Sequence, residues 1–463
     1  MIELNLEEIS RAVSGQLVSG EPSTVVSGVC DTDSRNIGTG DIFFAKLGEH
    51  DDGHRYLPDV AQVGAALAIV SSPNPDLTIP QIRVADTVLA LRDLASYVLT
   101  KVRSAGNLEV VGITGSNGKT STKNMLLNVL SRVGKTIAPK DSFNNEVGLP
   151  ITVLRLEADT RYLVLELGAA GQGSIEKLAS WCKPEIGIEL KVGLAHSGVF
   201  GSLSDTAQIK AELMRHITEV AILNQDDPYV SDFEVPQGVQ RIGFGFDSTS
   251  DYKIRSTKLS LAGTELEIEF PDGETRSLTL KILGEHQAMN VTAALAAADA
   301  LSVPRDLAIA AISDMKMAER WRMQLMQRSD GVYIINDAYN ASPDSMRAAL
   351  QTLATLGRQG HRTIAVLGQM AELGQAEQEH DALGRLVVRY NIDQLYVVGD
   401  AAKLIHMGAT QEGSWDGESK FCQSASEAFE AIHDKLLPGD VVLVKSSNVA
   451  GLRFLGDELA GVK

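Results

Sequence analysis

The stretch from residue 110 to residue 134 combines residue types that bind a polyphosphate. It reads VVGITGSNGKTSTKNMLLNVLSRVG: an apolar β-branched run, a loop with two glycines, then apolar residues at helical spacing. Glycines let backbone N–H groups approach phosphate oxygens without a Cβ in the way. Lys119 is spaced to reach the outer phosphates, and the Thr120 hydroxyl to hold Mg²⁺. The predicted phosphate loop comprises Thr114, Gly115, Ser116, Asn117, Gly118, Lys119, Thr120 and Ser121.

This loop departs from the common pattern GxxxxGK[ST] at one position. The pattern requires a glycine at position 113, where this chain has Ile113, and Gly112 comes one residue early. The alternative interpretation is a tight strand-to-helix turn with an incidental lysine. Since strand, loop and helix follow one another as a phosphate loop requires, we predict a phosphate site.

Two residues at predicted strand ends are candidate metal ligands. Glu166 ends the apolar run 162–167, and His196 follows the run 184–192. The carboxyl ends of parallel strands meet at one sheet edge, which is also the edge of the phosphate loop. We therefore expect Glu166 and His196 to bind Mg²⁺; a solvated acid and a structural histidine are the alternatives. Lys210, in a predicted helix over 205–217, is expected from composition alone to be an ordinary exposed lysine.

Polar loops elsewhere offer candidates for substrate binding. Ser34 and Arg35 precede a short buried strand at 40–45, and could hold a uracil or a phosphate. A surface turn with a solvated arginine is an equally good interpretation. Asn144 and Asn145 lie in a loop that enters a helix; asparagine pairs usually form turns, but these could equally contact phosphate or substrate.

Composition excludes several classes of protein. The 463 residues carry a net charge of −18, which argues against nucleic acid or an anionic membrane as the main partner. The three cysteines are far apart, which indicates neither a disulfide framework nor a zinc site, and buried apolar packing is their expected role. The first residues lack the features of a secretion signal, and no apolar run approaches the ~20 residues that span a bilayer. We expect a cytoplasmic protein.

The length and pattern predict an α/β protein of three domains. We place a first α/β domain at 1–104, with a linker over 101–107, and a central parallel-sheet domain with the phosphate loop at 105–314. Residues 240–283 alternate in period two and predict a small antiparallel appendage to this domain. Alternating short strands and helices predict a Rossmann-like third domain at 315–463, without the GxGxxG dinucleotide fingerprint.

In this order the motifs resemble those of the Mur ligases, the ATP-dependent amide-bond-forming enzymes of peptidoglycan precursor synthesis. The resemblance covers essentially the whole chain. The loop TGSNGKTS is similar to the shorter phosphate loop of that family, and LELGA at Glu166, GLAH at His196, IKAEL at Lys210, NQDDP at Asn224 and GEHQAMNVTAA at His286 follow in family order. The strings DAYNASPDSM at 337–346 and GQMAELG at 368–374 resemble the subfamily that adds D-alanyl-D-alanine. Ser342 and Lys191 stand where that family usually has asparagine, and Ser447-Asn448 replaces a small residue and an arginine.

The resemblance implies a role for each candidate. Lys119 and Thr120 would bind ATP phosphates, Thr120, Glu166 and His196 would hold Mg²⁺ at two sites, and Lys210 would be carbamylated by CO₂ to help position a magnesium ion. Lys119, Lys210, His196 and Glu166 would be the catalytic residues. The further residues implied to contact ATP are His286, Asn290, Arg322, Asp337 and Asn340. Those implied to contact the other substrates are Ser34, Arg35, Gly48, Asp52, Gly53, His54, Asn144, Asn145, Tyr339 and Ser342.

The reaction implied by this resemblance joins D-alanyl-D-alanine to UDP-N-acetylmuramoyl-tripeptide. The substrate carboxylate would attack the γ-phosphate of ATP, and the amine would then attack the resulting acyl phosphate. The resemblance also implies a monomer. The alternatives are a sister ligase that adds the third residue, a folylpolyglutamate synthase, or, from another class, a phosphate-loop switch ATPase that needs no amino-acid substrate.

Overall fold

A computed structural model describes residues 1–48, 51–140, 142–193, 201–316, 319–413 and 418–462. The described chain forms a mixed α/β fold with three large sheets, one in each of the three predicted domains. Within the described ranges, no helix is long and apolar enough to cross a membrane. Cys30, Cys182 and Cys422 are buried free thiols, as predicted.

The N-terminal domain is built on a five-stranded sheet in the order β2-β7-β6-β5-β4, beside the antiparallel pair β1 and β3. Its strands are β1 (Leu4–Asn5), β2 (Gln16–Ser19), β3 (Val25–Val26), β4 (Cys30–Asp31), β5 (Ile42–Phe44), β6 (Leu67–Val70) and β7 (Gln81–Arg83). Its helices are α1 (Leu6–Ala12), α2 (Leu57–Gln62) and α3 (Thr87–Ser104). The central strands β5 and β6 are buried along their whole length, which explains their continuous apolar sequence.

The predicted linker over 101–107 is wrong in its first part, because α3 continues to Ser104. Val102 remains buried on the apolar stripe of α3, and that stripe shares one hydrophobic core with the central domain. Arg103 adds an ion pair to Glu185 at 3.0 Å. The helix therefore joins the two domains where the sequence predicted a loop.

The central domain contains a nine-stranded sheet in the order β16-β15-β14-β13-β12-β11-β8-β10-β9. Its strands are β8 (Glu109–Thr114), β9 (Thr136–Ile137), β10 (Tyr162–Glu166), β11 (Ile186–Glu189), β12 (Val220–Asn224), β13 (Gln240–Gly245), β14 (Tyr252–Ser260), β15 (Gly263–Glu269) and β16 (Thr275–Leu280). The helices are α4 (Lys119–Leu130), α5 (Gly148–Val153), α6 (Ser174–Cys182), α7 (Leu203–Ala211), α8 (His286–Ala300) and α9 (Arg305–Ser313). Strand β8 runs parallel between β10 and β11, so all three end at one sheet edge.

The predicted antiparallel pairing is confirmed for β14, β15 and β16. The prediction is wrong for β13, which is parallel to β12, and wrong in that these strands do not form a separate appendage. Strand β13 pairs in parallel with β12, and the start of β14 pairs in parallel with β13. Ile242 and Phe244 of β13 are buried in the core of the central domain. Because β13 joins β12 to β14, the antiparallel strands continue the main sheet of the central domain.

The C-terminal domain has a six-stranded sheet in the order β17-β18-β22-β19-β20-β21, in which only β17 is antiparallel to its neighbour. Its strands are β17 (Gln324–Gln327), β18 (Tyr333–Asn336), β19 (Thr363–Leu367), β20 (Gln394–Val398), β21 (Ser419–Cys422) and β22 (Val441–Lys445). The helices are α10 (Pro343–Arg358), α11 (Ala376–Arg389), α12 (Lys403–Glu412), α13 (Ala425–Ile432) and α14 (Leu452–Leu459). The predicted alternation of short strands and helices is confirmed, and β18, β22, β19 and β20 are parallel. The edge strands β17 and β21 are partly exposed and less apolar, which is why their sequence gave a weaker signal.

Candidate active site

The phosphate loop connects β8 to α4 in a conformation that requires its glycines. Gly115 and Gly118 have φ of +145° and +91°. A Cβ on Gly118 would lie 2.3 Å from Oδ1 of Asn290, so no larger residue fits there. Lys119 is the first residue of α4, and its ammonium donates to the carbonyl of Gly115 at 2.7 Å. Burial lowers the pKa of Lys119.

Glu166 and Thr120 meet at the edge of the sheet, as the strand ends predicted. Register pairs Glu166 with Ile113, directly before the phosphate loop. The Thr120 hydroxyl donates to one carboxylate oxygen of Glu166 at 3.1 Å, and the Asn144 amide donates to the other at 3.0 Å. Glu166 is only 1% exposed. An acid and a hydroxyl therefore share one oxygen-rich position beside the loop.

Lys210 lies in the same cleft, and the composition-based expectation that it is exposed is wrong. Helix α7 places it 3% exposed, at the wall of a cleft of about 380 Å³ that also contains Lys119 and Glu166. Burial, and then the charge of Lys119, lower the pKa of Lys210 to about 7. A lysine in this state has a large fraction of neutral, nucleophilic amine at neutral pH.

Glu189, at the end of β11, is a residue that the sequence analysis missed. It is fully buried, and register places it opposite Thr114 of the phosphate loop. Neither carboxylate oxygen has a hydrogen-bond partner within the described part of the chain. Burial raises the pKa of Glu189 to about 8, and the charge of Lys210 opposes that rise. The sequence signal that could have indicated a buried acid here is the single glutamate within the apolar run IGIEL.

A second cleft of about 480 Å³ opens on the other side of the phosphate loop. His286 and Asn290 of α8 line it, and so do the exposed rings of Tyr229 and Phe246. Burial lowers the pKa of His286 to about 4, so its imidazole is neutral at pH 7. Flat apolar rings beside neutral polar groups suit a nucleotide base next to the phosphates.

The C-terminal domain closes the first cleft from the opposite side. The guanidinium of Arg322 lies 4.5 Å from the ring centre of Tyr339, and both line the cleft with Asn340 and Ser342. The hydroxyl of Ser342 donates to Oδ1 of Asn117 in the phosphate loop at 3.2 Å. The site is therefore assembled from two domains.

Two family models match the chain over more than half of its length. The Mur ligase middle domain matches residues 113–298, and the Mur ligase glutamate ligase domain matches residues 321–448. The chain belongs to the Mur ligase family. The resemblance inferred from the motifs is thereby confirmed.

Individual relatives match this Mur ligase over 94% or more of its length. UDP-N-acetylmuramoyl-tripeptide–D-alanyl-D-alanine ligase of Mycobacterium bovis is 38% identical, with 99% of this chain and 98% of the relative covered. Crystal structure I of MurF from Acinetobacter baumannii is 32% identical with a TM-score of 0.89, over 99% of both chains. MurF ligase from Thermotoga maritima in complex with ADP is 26% identical with a TM-score of 0.81, over 94% of this chain and 98% of that one.

Asp337 of this Mur ligase is held by a lysine that the sequence analysis missed. Lys445, at the end of β22, is 2% exposed and donates to Oδ2 of Asp337 at 2.5 Å and to the carbonyl of Asn340 at 3.1 Å. The other oxygen of Asp337 accepts the backbone N–H of Met323 at 3.0 Å. Asp337 and Lys445 also line a crevice of about 160 Å³ with His286 and Asn290. A lysine that ends the apolar run VVLVK was the signal.

The N-terminal candidates lie apart from this cleft. The structure places Ser34, Arg35, Gly48, Asp52, Gly53 and His54 in the N-terminal domain, outside the described residues that line the cleft. Arg35 pairs with Asp33 at 2.5 Å and is 87% exposed. Both ring nitrogens of His54 form hydrogen bonds within the N-terminal domain. Nδ1 donates to the carboxylate of Asp52 at 2.7 Å, and Nε2 accepts the backbone N–H of Ser71 at 2.9 Å.

Two further candidates have separate outcomes. The side chain of Asn145 accepts the backbone N–H of Gly148 at 2.8 Å and so supports the start of α5, which is the turn-forming role.

His196 lies outside the described residues. Within the described ranges, no three His, Cys, Asp or Glu side chains converge on a metal position. The sequence-predicted residues that do converge on the first cleft are Gly115, Ser116, Asn117, Gly118, Lys119, Thr120, Ser121, Asn144, Glu166, Lys210, Arg322, Tyr339, Asn340 and Ser342.

Proposed function

We propose that this Mur ligase joins D-alanyl-D-alanine to UDP-N-acetylmuramoyl-tripeptide at the expense of ATP. The observation that carries the proposal is the first cleft, in which Lys119 and Glu166 of the central domain face Arg322 and Tyr339 of the C-terminal domain. The full-length relatives that bear this activity in their names support it.

The charges of the cleft suit phosphoryl transfer to a carboxylate. Both reactants are anions, so their approach requires positive groups that offset the repulsion. Lys119 lies at the phosphate loop, and Arg322 lines the cleft on the opposite side. The substrate carboxylate attacks the γ-phosphorus and gives an acyl phosphate and ADP. The amine of D-alanyl-D-alanine then attacks the acyl carbon, and phosphate leaves as the amide forms.

The oxygen donors of the cleft fit Mg²⁺. Thr120 and Glu166 place a hydroxyl and a carboxylate 3.1 Å apart, and oxygen ligands are those that Mg²⁺ prefers. Thr120, Glu166, His196 and carbamylated Lys210 would hold the metal at two sites. When bound, Mg²⁺ would neutralise the charge that develops on the phosphate oxygens.

Lys210 suits carbamylation because the reaction with CO₂ requires a neutral amine. A pKa lowered to about 7 by burial supplies that form at neutral pH. The product is an anionic carbamate, which would replace a buried cation by an oxygen ligand beside Lys119.

The remaining residues take the roles that the resemblance implies. His286 and Asn290 would contact the adenine, and Arg322, Asp337 and Asn340 would reach ATP from the C-terminal domain. Asn144, Asn145, Tyr339 and Ser342 would contact the other substrates. The UDP end would bind the N-terminal domain at Ser34, Arg35, Gly48, Asp52, Gly53 and His54. We place the domain boundaries at 104/105 and 314/315. We expect a monomer, which light scattering tests. We expect a cytoplasmic location, because ATP is available there.

The test is phosphate release from ATP in the presence of UDP-N-acetylmuramoyl-tripeptide. One reaction contains D-alanyl-D-alanine, a second contains diaminopimelate with the UDP-dipeptide precursor instead, and a third contains no amine. We expect release only in the first, with a pentapeptide product by mass spectrometry. Release in the second would indicate a sister ligase. Equal release in all three would indicate an ATPase that needs no amino-acid substrate.

A further inference from the structure

The loop at residues 368–375 follows β19 and is anchored at three consecutive residues. The backbone N–H of Gly368 donates to the carbonyl of Lys445 at 3.0 Å, and the carbonyl of Gln369 accepts the N–H of Ser447 at 2.9 Å. The N–H of Met370 donates to Nε2 of His380 at 2.9 Å. These bonds fix the start of the 368–375 loop to β22 and α11.

His380 is a buried side chain that no role above uses. It is 2% exposed, and its Nδ1–H donates to the carbonyl of Ala376 at 2.5 Å. Since Nδ1 carries the hydrogen, Nε2 is the acceptor that the Met370 N–H requires. Burial lowers the pKa of His380, which keeps this neutral form at pH 7. The Nδ1 bond to Ala376, inside α11, fixes the orientation of the ring, and Nε2 then holds the 368–375 loop at Met370.

Glu372 is two residues beyond this anchor and lines the first cleft. Its φ is +60°, in the left-handed region that residues other than glycine and asparagine rarely enter. The anchors at Gly368, Gln369 and Met370 hold the chain that leads to this conformation. The carboxylate of Glu372 is therefore exposed at the wall of the cleft formed by the C-terminal domain.

The proposed reaction needs a proton acceptor beside the incoming amine. The incoming amine is an ammonium at neutral pH and cannot attack until it loses a proton. Among the described residues that line the cleft, Glu166 and Glu372 carry carboxylates. Glu166 lies beside Thr120 at the phosphate loop, where the proposed function assigns it to Mg²⁺. Lys119 repels a cation, so the amine approaches the acyl phosphate from the side away from the phosphate loop.

We propose that Glu372 binds the ammonium of the incoming dipeptide and accepts its proton, with His380 as the residue that positions the 368–375 loop. One N–H bond breaks, an O–H bond forms on Glu372, and the lone pair remains on nitrogen. That pair forms the C–N bond as the C–O bond to phosphate breaks. The leaving phosphate takes the electron pair and the second proton from nitrogen. This inference rests on the proposed function.

The test compares two nucleophiles for the same acyl phosphate in the full-length enzyme. D-Alanyl-D-alanine needs a proton acceptor, whereas hydroxylamine is already neutral at pH 7 and traps the acyl phosphate as a hydroxamate. In Glu372→Gln, we expect kcat/KM for the dipeptide to fall about a hundredfold, the usual contribution of a general base. The hydroxamate rate and the KM for ATP should stay within about twofold of wild type, since neither depends on removing a proton from an ammonium.

The controls separate the role of Glu372 from loss of charge or fold. Glu377→Gln removes the same charge at an exposed position in the first turn of α11, and should retain wild-type kinetics. His380→Ala should raise the KM for the dipeptide without changing the hydroxamate rate, and His380→Asn, which keeps an acceptor for Met370, should recover part of the loss. A wild-type kcat/KM for the dipeptide in Glu372→Gln would overturn the inference. A wild-type enzyme that forms neither hydroxamate nor pentapeptide would overturn the proposed function itself.

Discussion

The hydroxyl of Ser342 lies 3.2 Å from Oδ1 of Asn117 and donates to it, which joins the start of α10 to the phosphate loop. The same Ser342 is the N-cap of α10, where its Oγ accepts the backbone N–H of Ser345 at 3.4 Å. A single side chain therefore caps the start of a helix in the C-terminal domain and contacts the phosphate loop of the central domain. Both residues line the first cleft, so the two domains are in contact at its wall.

Ser342→Ala should lower stability and weaken ATP binding together. Loss of the N-cap costs about 1 kcal/mol of unfolding free energy, and the bond to Asn117 is lost as well. Ser342→Asn is the matched control, because asparagine is an equally good N-cap and can donate to Asn117. Urea unfolding and the KM for ATP measure the two effects. An unchanged KM in Ser342→Ala would show that the contact does not support the loop.

Gly118→Ala should abolish nucleotide binding through a steric clash. Its φ is +91°, and the new methyl group would lie 2.3 Å from Oδ1 of Asn290. Gly106→Ala is the control, since Gly106 has φ of +108° and no atom within 4 Å of the added methyl. Both variants should lose roughly 1 kcal/mol of stability from the left-handed backbone, but only Gly118→Ala should lose ATP binding by calorimetry. Equal ATP affinities in the two variants would contradict the role of Gly118.

Lys210→Ala should lose activity that formate or acetate partly restores, because a small carboxylate can take the place of the proposed carbamate. The exposed Lys177→Ala should be active and insensitive to either anion. Removal of CO₂ should reduce wild-type activity more at pH 6 than at pH 8. With a pKa of about 7, Lys210 is mainly the unreactive ammonium below that pH. Inactivity that neither anion relieves would count against carbamylation.

Glu189→Gln should flatten the dependence of stability on pH. Burial raises the pKa of Glu189 from 4.5 to about 8, so the native state binds a proton that the unfolded chain releases. The free energy of unfolding of the wild type should therefore fall as pH rises from 5 to 7. Below about pH 6 the lowered pKa of Lys210 adds little slope, since that lysine is then mainly protonated in both states. Urea unfolding at several pH values measures this, with the exposed Glu234→Gln as the control that keeps the slope.

Much of the fold could be predicted because its signals are local. Strands β5, β8, β10 and β19 are buried on both faces, so each is a continuous apolar run that the sequence displays. The boundaries were harder. The end of α3 and the pairing of β13 depend on burial against elements far away in the chain, which periodicity does not record.

The phosphate loop was determined by the sequence itself. Its glycines, lysine and threonine are consecutive, and the strand and helix that hold them flank them directly, so spacing alone fixes their relative positions. Only the tertiary structure decided the state of Lys210, Glu189, Lys445 and His380. Each is an ordinary polar residue in its own segment, and becomes distinctive because elements distant in sequence remove its water and determine which charges and hydrogen-bond partners it meets.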